Sequence, residues 1–116
     1  FPAGELKHGP IALIEEGLPV IVVMPSPTGR PLLHQKVLSN MAEIRARGAR
    51  TIVIAEASDT AAAENAAHLI AIPAAPTLHS PLVNVVPLQV LAAEIAIARG
   101  LDIDKPRNLA KSVTVE

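Results

Sequence analysis

The chain has no cysteine, no tryptophan and no tyrosine, and Phe1 is its one aromatic residue. Without cysteine there is no disulfide framework, no thiolate nucleophile and no thiolate-based metal site. Without large aromatics the core must be built from Leu, Ile, Val and Ala. Charge of one sign is also missing. Ten Lys and Arg stand against 11 Asp and Glu, a net charge of −1. That balance offers no electrostatic attraction to nucleic acid or to an anionic membrane, so neither is an expected partner. There is no signal peptide, and a cytoplasmic location is the expectation. The chain opens on Phe rather than Met, which points to a processed product or a fragment.

What remains is apolar and aliphatic. Half of the 116 residues are hydrophobic, enough for one domain burying roughly 65% of the surface its unfolded chain exposes. Three short runs rich in β-branched residues, "LPVIVVMP" (18–25), "TIVIAE" (51–56) and "HLIAIP" (68–73), read as strands covered on both faces, as in parallel sheets. Between the first two lies "RPLLHQKVLSNMAEIRARG" (30–48), where Leu33, Val37, Met41 and Ile44 share one helical face. Pro31 suits its first turn and Gly48 its C′ position. "SDTAAAENAA" (58–67) offers Ser58 or Asp59 as the N-cap of a short helix.

The last long apolar stretch, "SPLVNVVPLQVLAAEIAIARG" (80–100), takes Ser80 as N-cap, Pro81 at N1 and Gly100 as terminator. Asn84, Pro87, Gln89 and Glu94 interrupt it, so it reads as a buried helix of a soluble protein, kinked at Pro87, rather than a membrane span. The order is strand, helix, strand, helix, strand, helix. That alternation predicts a parallel α/β sheet, part of a doubly wound, Rossmann-like three-layer αβα sandwich. Three parallel strands leave two open edges, so the chain reads as part of a larger domain.

Few residues stand out chemically. "GELKHGP" (4–10) gathers Glu5, Lys7 and His8 before a Gly-Pro break. It is either acid–base machinery or a solvated helix start. "SPTGR" (26–30) follows a strand and precedes a helix, a place that suits a phosphate, but the pattern is no named motif and an ordinary turn is the favoured reading. The cations of "RARGAR" (45–50) complement a helix C-terminus better than they make a basic patch. His34, His68 and His79 lack metal-ligand spacing, so no metal is expected. Lys111, in the closing "DKPRNLAKSVTVE", stands among Leu109, Ala110 and Val113. It is either a solvated tail lysine, an anion ligand or an imine-forming amine.

Taken together, "AGELKHGPIALIEEGLPVIVV" and "DKPRNLAKSVTVE" closely resemble the C-terminal part of the glutamine–fructose-6-phosphate aminotransferase (isomerizing), or glucosamine-6-phosphate synthase, family. "VLSNMAEIRARG" and "VVPLQVLAAEIAIARGLDIDKPRNLAK" carry the likeness through the middle. The resemblance implies that residues 1–100 belong to the second sugar-isomerase (SIS) subdomain and residues 101–116 to a tail folded over a sugar-phosphate site. It implies an enzyme that makes glucosamine 6-phosphate from fructose 6-phosphate and glutamine-derived ammonia, without metal or organic cofactor, as a homodimer or higher homo-oligomer. In that family the lysine matched by Lys111 forms a Schiff base with open-chain sugar, and the histidine matched by His8 opens the sugar ring in the neighbouring subunit's site. The family's isomerisation base and phosphate loop have no counterpart in this chain, and neither Glu5 nor "SPTGR" takes their place. The fragment alone is therefore expected to be inactive. Two other readings stay open: a non-catalytic phosphosugar-binding or dimerisation module, and another SIS-type isomerase or deglycase.

The chemistry suits the two implied roles. An amine of pKa ~10.4 is neutral in only about one molecule in 2,500 at pH 7, and only the neutral form attacks a carbonyl. An apolar frame around Lys111 favours that form by desolvation. An imidazole, with an unperturbed pKa of ~6.5, exchanges protons readily near neutrality.

Overall fold

A computed structural model describes residues 1–105. The chain divides into two compact units, Phe1–Asn84 and Val85–Glu116, with the boundary inside its last helix. The first unit opens with two short 3-10 helices, Ala3–His8 and Pro10–Leu13. Then come β1 (Pro19–Val23), α1 (Pro31–Arg45), β2 (Arg50–Glu56), α2 (Thr60–Glu64) and β3 (His68–Ile72). The strands form one parallel sheet in the order β1-β2-β3, as the alternation predicts. α3 (Ser80–Ala98) leaves the first unit and continues into the second. After it, Asp102 Oδ1 accepts from the backbone N–H groups of Asp104 and Lys105, 2.9 and 3.0 Å away, closing a turn.

The parallel register, Val22 beside Val53 beside Leu69, puts alternate residues on common faces. One face carries Met24, Val53 and Ala55, which form the core with Val37 and Met41 of α1 and Ala62 of α2. β2 is almost wholly buried, as a central strand should be. β1 is not covered on both sides. Its Pro19, Ile21 and Val23 lie on an exposed face, Ile21 at 44% and Val23 at 42%. A continuous apolar run thus marks a strand meant to be covered, whether or not this chain provides the cover.

α1 ends as expected at Gly48. Ala49 N–H reaches the Ile44 carbonyl at 3.1 Å and Gly48 N–H the Arg45 carbonyl at 2.9 Å, a Schellman arrangement with Gly48 at φ +90°. The buried face differs from the expected one, taking in His34 and Asn40 and leaving out Leu33. His34 is buried with Val37, Met41 and Ile44, whereas Leu33 is 46% exposed. α3 departs further. It runs through Pro87 without a break, and none of its residues is buried. A helix apolar all round needs neighbours on every side.

Candidate functional site

The residues of "GELKHGP" are held by α1. Ala3–His8 is a 3-10 helix with no capping side chain and no buried residue, so its own hydrogen bonds do little to fix it. Two side chains of α1 anchor it. Asn40, itself buried, donates Nδ2–H to the Ala3 carbonyl at 3.0 Å. Glu43 pairs with Lys7. Ala3 also packs against the core. His8 follows directly on Lys7, is exposed, and precedes Gly9 and Pro10, where a second 3-10 turn begins.

Beside this segment the first unit has a cavity of about 840 Å³ at the carboxyl end of β1, where ligands sit in open α/β sheets. Lys7, Met24, Lys36, Asn40, Ser80 and Asn84 are among its lining residues. His8 is not. Asn84 Nδ2 donates to the Ser80 carbonyl at 2.8 Å, while its Oδ1 is buried without a partner among the described residues.

The remaining candidates resolve into structural roles. Ser26 Oγ accepts from Gly29 N–H at 3.1 Å and lies 3.2 Å from Thr28 Oγ1, so "SPTGR" is an internally bonded turn. Arg47 Nη1 donates to the Glu43 carbonyl at 2.7 Å in the last turn of α1, and Arg45 Nη1 to Asn65 Oδ1 at 2.8 Å. His68 Nε2 accepts from Arg50. No group of three or more His, Asp or Glu converges among the described residues. Lys111 lies outside the described residues. One buried pair lies outside these candidates. His34 Nε2 donates to Asp59 Oδ2 at 2.7 Å, both side chains nearly fully buried, and Asp59 Oδ1 caps α2 at Ala62 N–H, 3.0 Å away. The spacing of His34 with Val37, Met41 and Ile44 was the available signal.

The SIS domain model matches residues 1–99. The chain belongs to the SIS domain family. The match takes in α3, which by length and composition alone would also pass as a membrane span, so α3 is read as a SIS helix. The SIS chain is 70% identical, over all 116 residues, to glutamine–fructose-6-phosphate aminotransferase (isomerizing) of Streptomyces coelicolor, and 68% identical to the protein of that name from Mycobacterium tuberculosis. In both cases it spans 19% of the relative's length. Among solved structures it is similar to the C-terminal domain of glucosamine-fructose-6-phosphate aminotransferase from Francisella tularensis, with TM-score 0.78 and 34% identity over 90% of this chain and 29% of that one. The family resemblance and the α/β SIS fold read from the sequence are both borne out.

Proposed function

We propose that this SIS segment serves an enzyme that converts fructose 6-phosphate and glutamine-derived ammonia into glucosamine 6-phosphate. The observation that carries the reading is an identity of 65–70%, over all 116 residues, to enzymes named for that reaction. In this reading residues 101–116 form a tail over the sugar-phosphate site. His8 gives a proton to the ring oxygen as the sugar opens. The neutral amine of Lys111 then adds to the C2 ketone and releases water, leaving an imine that holds the open chain. The working enzyme is a homodimer or higher homo-oligomer. The exposure of His8 at the end of an anchored segment supports its action on a neighbouring chain.

The chain has no cysteine to release ammonia from glutamine as a thiolate, so the isolated 116 residues should form no product. A full-length aminotransferase carrying these residues in place of its own corresponding segment should form glucosamine 6-phosphate. Borohydride with fructose 6-phosphate should attach sugar to Lys111, and Lys111→Arg should abolish the label, because arginine keeps the charge but forms no imine. Label at Lys7 or Lys105 would overturn the assignment.

A further inference from the structure

We propose that Asn40 and Glu43 of α1 are positioning residues for His8. The inference rests on the reading of His8 as the ring-opening group. The Ala3–His8 helix needs an external frame, since it is a single 3-10 stretch with no buried residue and no side-chain cap. Asn40 and Glu43 lie three residues apart, on one face of α1. They engage Ala3 and Lys7, which lie four residues apart near the two ends of the 3-10 helix. Two attachments set both where the segment lies along α1 and how it is rotated. Ala3, packed against the core, adds to the hold at the Asn40 end, and the Lys7–Glu43 pair is the side-chain attachment at the His8 end. The second attachment is adjacent to His8, so the imidazole inherits its direction from the Lys7–Glu43 pair.

The chemistry of the two contacts differs in a useful way. Asn40 reaches a backbone carbonyl, so it holds the main chain whatever side chain stands at position 3. It is 9% exposed, whereas the Lys7 and Glu43 side chains are 47% and 34% exposed. Asn40 is therefore the fixed point, and the solvated ion pair trims the angle. Asn40 also lines the cavity, whereas Glu43 does not; the role proposed for both is to hold the segment that carries His8. Their effect on the reaction passes through His8, because acid–base catalysis needs a heavy-atom approach of about 2.6–3.2 Å.

The test uses the full-length enzyme carrying these 116 residues and two substrates. Fructose 6-phosphate must be opened. 5-Deoxyfructose 6-phosphate lacks the hydroxyl that closes a furanose, so it is always open. Asn40→Ala should lower kcat on fructose 6-phosphate on the order of 10- to 100-fold, the scale of a misplaced catalytic group, and should leave turnover of the open analogue within about 2-fold by the same logic. Glu43→Gln should do the same more weakly. Lys7→Glu and Glu43→Lys should each lose activity selectively, and combining them should restore it. On a His8→Ala background none of these substitutions should matter further. Equal loss on both substrates, or losses that add to that of His8→Ala, would make the contacts merely structural and overturn the proposal. If Asn40→Ala does not fold, the half-exposed Lys7 and Glu43 variants decide. If His8→Ala itself loses both substrates equally, the ring-opening reading fails and the proposal goes with it. If His8→Ala is selective and the α1 variants are not, only the proposal fails.

Discussion

Asp59 serves two elements with one carboxylate. Oδ1 caps α2 at Ala62 N–H, and Oδ2 receives Nε2–H of His34 from α1. Both contacts are buried, with Asp59 at 4% and His34 at 6% exposure, so water cannot replace a lost partner. Asp59→Ala removes a cap, at about 1 kcal/mol, and strands a buried imidazole N–H, at about 1–3 kcal/mol. The sum predicts a loss of roughly 2–4 kcal/mol in urea unfolding. Asp59→Asn keeps an oxygen for the cap but turns an N–H toward His34, so it should lose about 1 kcal/mol less than Asp59→Ala. Equal losses for the two variants would show that the cap, and not the His34 contact, was misjudged. Part of this was legible beforehand, since Asp59 was a candidate N-cap. The His34 contact was not. It joins residues 25 apart in sequence, and no local pattern encodes which buried polar groups meet.

Among the elements, α1 shows best how far local pattern reaches. Gly48 was expected at C′ and stands there, because only a residue at ease with positive φ completes the Schellman turn. The same arrangement recurs after α3, where Gly100 (φ +66°) and Leu101 bond back to Ile97 and Ala96. At Gly48 packing adds a second constraint. A Cβ there would stand 2.8 Å from Glu16 Cα, and Gly17 N–H is already bonded to the Gly48 carbonyl at 2.8 Å. Gly48→Ala should therefore cost at least the ~1–3 kcal/mol of a non-glycine residue in that region. Gly4→Ala, with no such φ and nothing within 4 Å of a new Cβ, is the control, and comparable melting losses for the two would sink the argument. The three strands and three helices were legible from apolar runs and helical spacing. Which faces are covered was not. β1 and α3 carry sequences written for burial, yet Ile21, Val23 and the whole of α3 remain unburied. Asn40 was illegible for a related reason. On α1 it reads as one polar residue beside an apolar stripe, and its partner is a backbone carbonyl 37 residues away.

At the scale of the whole molecule, the sheet leaves the outer edges of β1 and β3 unpaired among the described residues, and the proposed enzyme is an assembly of several such chains. The proposed division of labour gives the proposed assembly a testable form. His8 and Lys111 are assigned to one site but to different subunits. In a full-length enzyme carrying these residues, His8→Ala and Lys111→Ala should each abolish most turnover, His8→Ala by on the order of 10²–10⁴-fold in kcat with cyclic sugar. Each homodimer then has two damaged sites. After subunit exchange, about half the dimers are mixed, and each mixed dimer has one site with both residues intact and one with neither. Half the dimers times one site in two gives about a quarter of wild-type activity, from counting sites alone. Were both residues to act within one chain, every site in the mixture would still lack one of them. The mixture would then be as inactive as its parents. Recovery to about a quarter, with exchange checked by native mass spectrometry on subunits of distinguishable mass, therefore separates the two arrangements. No recovery in confirmed heterodimers would put His8 in its own chain's site or outside it altogether.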